Sequence, residues 1–189
     1  MKKEESEGPK QKRPTFKIRQ MEIDDIAKVF HLGEALFKAE EAPNTYRTWD
    51  EYEVINLFYG DVEFCSVAAL KKKIIGFALG STITKSHSAW KYGHLIWLGV
   101  DPAYQQMGVA EKLFKRFKEV MLKENVRMLV VDTEAENIPA LKLFRKLGFR
   151  NPQQHIYLSM NLESDRQLLK RKENGSSPEE PNNRNHRHG

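Results

Sequence analysis

Residues 100–110, VDPAYQQMGVA, carry the pattern that decides the fold. A run of strand-forming residues, 90–100, ends at a tight turn, and a helix opens at Gly108 and Ala110. The first amides of a helix lack internal partners, and the helix dipole places about half a positive charge at that end. Such a terminus binds a diphosphate where no side chain blocks close approach, and the two small residues provide that clearance.

The elements on either side of this turn predict a mixed α/β domain. Strands are predicted at 15–21, 64–70, 74–84, 90–100, 128–133 and 156–162, and helices at 26–37, 49–59, 109–121 and 137–148. The strands at 64–70 and 74–84 are separated by three lysines only, which predicts a hairpin. The run at 128–133 has the apolar character of a buried strand. We therefore expect a mixed, mostly antiparallel central sheet with helices on both faces.

Composition places the domain at 15–162, between two polar tails at 1–14 and 163–189 that are expected to be disordered. The chain carries a net charge of +5, of which the tails hold +2 and +1. The remaining +2 is close to neutral for a domain of this size, which argues against a nucleic-acid partner.

Other features favour a cytoplasmic setting. Cys65 is the only cysteine, so an intrachain disulfide is impossible and a reducing compartment is expected. The N-terminal residues lack the apolar stretch of a signal peptide, and the longest mainly apolar window, 74–83, is too short to span a bilayer. No membrane association is expected, and no zinc or other metal site is predicted from the spacing of His and Cys.

Two segments in the expected order resemble the GNAT family of acyl-CoA-dependent N-acyltransferases. The first, 97–114, is similar to the family's Q/R-x-x-G-x-G/A segment. The second, VVDTEAENIPALKLFRKLGF at 130–149, is similar to the segment in which an Asn opens a helix that ends in Gly-Phe. Asn137, Ala140, Phe144, Gly148 and Phe149 occupy the matching positions. The resemblance implies a GNAT-like fold and acetyl-CoA as co-substrate.

The resemblance also implies roles for particular residues. The backbone of Leu98, Gly99 and Val100 is expected to pair with the pantetheine arm as an added strand would. Asn137 is expected to bind the pantetheine or orient the thioester, and Phe144 to line the wall near the sulfur. The diphosphate is expected to lie against the residues of the turn and first helical turn, namely Gln105, Gln106, Met107, Gly108, Val109 and Ala110.

The chain departs from the family pattern in two places. Gln106 and Met107 are neutral where many members carry Arg or Lys, so Lys112 or Arg116 would add charge only by curling back. Phe144 stands where a Tyr is common, and it has no proton to give the departing thiolate. Solvent would then have to supply that proton.

Acyl transfer to an amine also needs a base, because an amine of lysine type is protonated at neutral pH. His94 is the first candidate, on the predicted strand 90–100 and on the same face as Leu98 and Val100 by strict alternation. Asp132, on the neighbouring strand, is the second. For both residues the alternative is structural: a half-buried histidine and a strand-end carboxylate bonded to backbone.

The acceptor is left open by the sequence. Trp49, Tyr52, Phe58 and Tyr59 lie where the family builds the acceptor wall, but core packing is the favoured interpretation. The function predicted is direct transfer of acetyl to a primary amine, either a protein N-terminus or lysine or a small amine, by a monomer or homodimer. The alternative is a non-catalytic acyl-CoA-binding module.

Overall fold

The computed structural model of the chain describes residues 14–37, 48–84 and 90–154, together with residues 156, 160, 162, 166, 167, 169 and 170. The chain divides into a unit that ends at Gln153 and a second that begins at Gln154. In the second unit the amide of Arg166 donates to the carbonyl of Leu162 at 2.9 Å. The strands and helices named below lie in the first unit.

Five strands form one sheet in the order β1-β2-β3-β4-β5. The first three contacts between neighbours are antiparallel, and β4 pairs with β5 in parallel. This confirms the mixed, mostly antiparallel sheet. The strand bounds are β1 Lys17–Gln20, β2 Ser66–Leu70, β3 Lys73–Thr84, β4 Lys91–Val100 and β5 Met128–Val130.

Four α-helices accompany the sheet: α1 Ile26–Leu36, α2 Glu51–Asp61, α3 Val109–Lys123 and α4 Ile138–Leu147. Local signals explain where two of them begin and end. The Asp50 carboxylate accepts the amide of Glu53 at 2.8 Å and so caps α2. Gly148 ends α4 with a φ of 105°, a conformation that glycine adopts without strain.

Each face of the sheet has its own apolar core. On one face α3 covers the sheet through Leu113, Phe114 and Phe117, which pack with β-strand residues such as Ala78 and Leu95. On the opposite face Val29 of α1 and Val54 of α2, among others, pack with β-strand residues that include Phe77 and Leu79. We call these the α3 face and the α1/α2 face. The expectation of helices on both faces of the sheet is confirmed.

A β-bulge in β4 changes which side chains share a face. Leu79 of β3 pairs with Trp97, but the next residue, Gly80, pairs with Leu95, so Ile96 is the extra residue. Leu95 and Leu98 both pack on the α3 face, whereas Ile96 and Trp97 both pack on the α1/α2 face. Strict alternation therefore fails between residues 95 and 98.

The bulge corrects one prediction about His94. A Cβ on its neighbour Gly93 would contact Met121 of α3, and Leu95 on the other side also packs on the α3 face. His94 therefore points to the α1/α2 face, opposite to Leu98 and Val100 rather than alongside them. The predicted orientation of His94 was wrong because it assumed strict alternation along β4, which the extra residue interrupts.

Two further expectations need correction. The strand predicted at 128–133 is only three residues long, and Met128 is 44% exposed, so it is not a buried strand. Tyr52 and Tyr59 are 68% and 70% exposed, so core packing was wrong for them. Trp49 and Phe58, in contrast, pack against the α1/α2 core as expected.

Several predictions lie outside the described residues. These are the N-terminal tail apart from Pro14, most of the final strand at 156–162, and most of the C-terminal tail. Of the helices in the described ranges, none has the length and apolar character needed to cross a bilayer.

Candidate functional site

The ladder between β4 and β5 is short. The two strands pair in register at only three positions, from Tyr92↔Met128 to His94↔Val130. The β4 strand continues for six residues beyond His94, while its other edge stays paired with β3 up to Gly76↔Val100. Leu98, Gly99 and Val100, predicted to bind a pantetheine arm, therefore lie beyond the point where the β5 ladder ends.

The start of α3 packs closely against β3 and the end of β4. Val109, the first residue of α3, is 2% exposed. A Cβ on Gly76 of β3 would lie 3.1 Å from a methyl carbon of Val109 and 2.9 Å from the carbonyl oxygen of Gly99. Glycine at position 76 thus lets β4, β3 and the N-terminus of α3 approach one another.

The turn before α3 contains two residues with positive φ. Gly108 is the N-cap residue with a φ of 79°, and Gln106 also has a positive φ, of 60°. No side chain caps this helix, whose first turn leaves amides without intrahelical partners. The side chain of Gln105 turns back and donates to the carbonyl of Val100 at 3.4 Å. The structure thus places a left-handed N-cap and an uncapped first helical turn within 105–110, and the role of these residues as a diphosphate cradle stays a prediction.

Asp101 fixes the base of this turn. Its carboxylate accepts the amide of Ala103 at 3.0 Å and lies 2.8 Å from the ammonium of Lys73. The hydrogen bond from Lys73 lowers the pKa of Asp101, with a further contribution from the Ala103 amide. The amide of Asp101 in turn donates to Ile75 at 3.0 Å, so β3 holds the turn by main chain and side chain.

The cations near the cradle differ from those the sequence suggested. The ammonium of Lys112 lies 4.4 Å from the centre of the Phe16 ring, a cation–π contact beside β1. The Nε of Arg116 is buried with no hydrogen-bond partner in the structure. Lys146 of α4, which sequence reasoning missed, lies 2.6 Å from Glu111 in the first turn of α3. No local signal could have found this pair, because 35 residues separate its members.

The α4 helix begins and packs as expected. Asn137 is its N-cap, and the side-chain oxygen of Asn137 accepts the amide of Ala140 at 3.1 Å. Its amide NH₂ group remains a donor. Phe144 packs against the α3-face core and meets Phe149 edge-on with ring centroids 5.7 Å apart.

The side chains of His94 and Asp132 are in contact where the β4–β5 ladder ends. Nε2 of His94 lies 2.7 Å from Oδ1 of Asp132, two residues after the end of β5. The side chain of His94 is 17% exposed and that of Asp132 is 39% exposed. Because a carboxylate can only accept, Nε2 carries a proton and, in the neutral ring, Nδ1 carries the lone pair. The arrangement is that of a histidine oriented by a carboxylate to act as a base.

An aromatic cluster lies on the same face as His94. Trp97 meets Trp49 at a centroid distance of 5.0 Å and Phe37 at 4.9 Å. The indole N–H of Trp97 donates to the carboxylate of Glu53 on α2 at 3.1 Å. Trp49 also fills the space beside Gly33, where a Cβ would lie 2.0 Å from the indole ring.

Metal coordination has no support within the part of the chain that the structure describes, since it holds no group of three or more His, Cys, Asp or Glu side chains placed to share an ion.

A mixed sheet with a short parallel pair and a helix that begins at Gly108 beside the end of β4 frames the site. The chain belongs to the Acetyltransferase (GNAT) family, whose sequence model matches residues 29–149. Structural similarity agrees: the chain superimposes on an aminoglycoside acetyltransferase from an uncultured soil metagenomic sample, in complex with sisomicin, with a TM-score of 0.62. That similarity has 20% sequence identity and covers 78% of this chain and 97% of the other.

Two further comparisons involve N-terminal acetyltransferases. The NatC complex bound to Gag peptide and CoA matches with a TM-score of 0.63 and 20% identity, over 73% of this chain and 86% of the matched chain. N-alpha-acetyltransferase 30 of Xenopus laevis is 28% identical over 87 residues, which is 46% of this chain and 32% of that protein. For the Homo sapiens protein the same identity covers 24% of its length. The chain thus matches a third or less of these curated relatives.

Proposed function

We propose that the chain is an N-acetyltransferase that moves acetyl from acetyl-CoA directly to a primary amine. The observation that carries this proposal is the His94–Asp132 pair at the end of the β4–β5 ladder, 2.7 Å apart. Family membership supports the chemistry, and the His94–Asp132 contact supports a base beside the stretch of β4 that continues past the β5 ladder. We keep 15–162 as the bounds of the catalytic domain.

The residues present fit the coenzyme. The left-handed conformation at Gly108 and the uncapped first turn of α3 provide backbone donors for a diphosphate, centred on 105–110. Leu98, Gly99 and Val100 lie where the ladder between β4 and β5 has ended, which leaves room for a pantetheine arm to pair with β4. Asn137 offers its NH₂ group and Phe144 an apolar surface from α4.

The bulge at Ile96 gives the two substrates separate approaches. The start of α3 lies on one face of the sheet, and His94 points to the other. A base on the α1/α2 face meets an acceptor amine that arrives from that side, while the coenzyme is held from the α3 face. Both would meet beside the part of β4 that extends past the β5 ladder, as a ternary complex without an acyl-enzyme requires.

The chain's own groups then handle one proton. An amine that arrives as an ammonium first gives its extra proton to solvent. Asp132 holds Nε2–H of His94, so Nδ1 takes a second proton from the amine nitrogen as the C–N bond forms, and Asp132 stabilises the resulting imidazolium. Acetyl-CoA supplies the acetyl group as a thioester, whose C–S bond breaks as the C–N bond forms and whose electron pair leaves on sulfur. Phe144 cannot protonate that sulfur, so we assign the proton to solvent.

Two classes of acceptor are candidates. Relatives named N-alpha-acetyltransferase favour a protein N-terminus, and those named aminoglycoside acetyltransferase favour a small polyamine. Parallel assays with short peptides, lysine peptides and polyamines would separate the two by the amine that is turned over. Turnover of any of them would eliminate the alternative of a non-catalytic acyl-CoA-binding module.

Substitutions in the cradle test the coenzyme site. Gly108→Glu and Ala110→Glu place a carboxylate where the diphosphate is proposed to lie, and should weaken coenzyme A binding at least about tenfold, as measured by calorimetry. Leu122→Glu, at an exposed position in the last turn of the same helix, is the matched control and should leave the affinity unchanged. Unchanged affinity in both cradle variants would refute the site assignment.

A further inference from the structure

An ion pair joins the last turn of α4 to the first turn of α3. The ammonium of Lys146 lies 2.6 Å from Oε1 of Glu111. Both side chains are accessible, at 69% and 36% exposure. Ion pairs at this exposure contribute little to stability. The Lys146–Glu111 pair therefore matters for where it lies, at the start of α3, and not for the stability it adds.

The Glu111 carboxylate lies over the proposed diphosphate cradle. Its second oxygen, Oε2, is 4.0 Å from where a Cβ on Gly108 would stand. The carboxylate also accepts its own backbone amide, and together with Lys146 this lowers the pKa of Glu111, with Lys146 the larger cause. An ionised carboxylate is thus drawn to a helix N-terminus that favours negative charge. The Glu111 carboxylate therefore lies where the start of α3 favours a negative charge.

Lys146 can add the positive charge that the side chains of residues 105–110 lack. Gln106 and Met107 are neutral, and the ammonium of Lys112 lies over the Phe16 ring. Residues 105–110 themselves thus bring no positive side chain to a diphosphate that carries at least two negative charges. A lysine already positioned at the first turn of α3 can supply a compensating cation without a large movement.

Resting on the proposed function, we propose that Lys146 is a phosphate-binding residue of the coenzyme site, which Glu111 holds in place and for which Glu111 competes. When the coenzyme binds, its diphosphate replaces the Glu111 carboxylate at the α3 terminus and takes over the ammonium of Lys146. The exchange costs little desolvation because both side chains are already accessible. It favours the full coenzyme over a phosphate-free pantetheine fragment.

The decisive experiment measures coenzyme A affinity in a double-mutant cycle. Lys146→Met should weaken binding about fivefold, and Glu111→Gln should strengthen it about twofold. If Lys146 served only to neutralise Glu111, Lys146→Met would have no effect once Glu111 was glutamine. The proposal instead requires Lys146→Met to weaken binding about fivefold in the Glu111→Gln background as well, with a shallower salt dependence.

The neighbouring pair Lys115–Glu119, exposed on α3 at 3.9 Å, provides the matched control. Lys115→Met and Glu119→Gln should leave the affinity unchanged. Pantetheine, which lacks the diphosphate, should bind the Lys146→Met variant as well as it binds the parent chain. If the parent chain binds coenzyme A but the cycle shows no loss in the Glu111→Gln background, the role of Lys146 is overturned alone. If the parent chain does not bind coenzyme A, the proposed function fails as well.

Discussion

Nε2 of His94 and Oδ1 of Asp132 are brought to 2.7 Å although 38 residues separate them in the chain. Parallel pairing of β4 and β5 makes this contact, since His94 lies opposite Val130 and Asp132 follows two residues later. A second histidine–carboxylate pair, His31–Glu34, has nearly the same spacing of 2.9 Å but lies exposed on α1. The two pairs are similar in length but differ in location. The pair His31–Glu34 therefore serves as a control for the catalytic role proposed for His94 and Asp132.

Replacing the base should slow acetyl transfer without affecting coenzyme binding. His94→Gln should lower kcat by about 100-fold, because general-base catalysis contributes at least that much. Asp132→Asn should lower it by about tenfold, since the asparagine can still orient the ring but cannot stabilise the imidazolium. His31→Gln should leave kcat unchanged. Steady-state rates with a reactive amine check these values, and full activity in His94→Gln would remove His94 from the mechanism.

Local signals account for most of what the sequence predicted correctly. Asn137 and Gly148 mark the two ends of α4 because capping depends on neighbouring residues only. The turn at 101–108 was readable for the same reason. The chain order of strands and helices, together with the hairpin of β2 and β3, was enough to give the sheet its mostly antiparallel character.

Contacts between distant residues were not predictable in this way. The extra residue at Ile96 depends on how β4 pairs with β3 and packs on the two faces of the sheet. The face to which His94 points could therefore not be predicted from the sequence of β4 alone. Lys146 and Glu111 are 35 residues apart in the chain and come into contact only in the folded structure. Tyr52 and Tyr59 are exposed because α2 buries a different side, marked by Val54 and Leu57.

Glycine at position 80 should be essential to the fold beside the bulge. A Cβ there would lie 2.4 Å from the carbonyl oxygen of His94 and 2.6 Å from the Phe117 ring. Backbone cannot yield as a flexible side chain does, so Gly80→Ala should destabilise the protein by about 2–3 kcal/mol and lower activity by displacing His94.

Gly60, near the end of α2, is the control for this substitution. A Cβ there would meet nothing within 4 Å, so Gly60→Ala should stabilise the protein by up to about 1 kcal/mol. Urea unfolding midpoints of the two variants should move in opposite directions. Equal shifts would contradict the structural distinction.

Asp25 should make stability depend on acid pH. Burial alone would raise the pKa of this carboxyl, but Arg19, with Nη2 2.9 Å from Oδ1, and the amide of Glu22 outweigh burial and lower it. Because the unfolded chain takes up this proton first as the pH falls, the stabilising contribution is complete above about pH 5. It is lost as the pH falls through the usual aspartate range, near 3.8, towards the lowered pKa of the folded state.

The variant Asp25→Asn checks this pH dependence. It should cost about 2 kcal/mol at neutral pH, because the cation of Arg19 loses its partner, and the deficit should shrink below about pH 4. Asp24→Asn, at the exposed neighbouring position, should change stability by less than about 0.5 kcal/mol. A deficit for Asp25→Asn that did not change with pH would show that the ion pair is not its source.

Cys65 should be inert in the native protein. The side chain is fully buried, and burial is the main cause that raises the pKa of its thiol to about 12. At pH 8 only about one thiol in ten thousand would be ionised, and the thiolate is the reactive form. The sulfur also lies 3.5 Å from the carbonyl oxygens of Leu57 and Asp61, within the packed contact between α2 and the sheet.

A chromogenic thiol reagent should therefore label the native chain only as fast as it unfolds, and label one thiol per chain at once in denaturant. Cys65→Ala sets the reagent background. This inertness bears on the assay for acetyl transfer, since coenzyme A released from acetyl-CoA can be followed with the same reagent without interference from the enzyme. Rapid labelling of the folded protein would contradict the burial of Cys65 and would require the Cys65→Ala variant for every rate measurement.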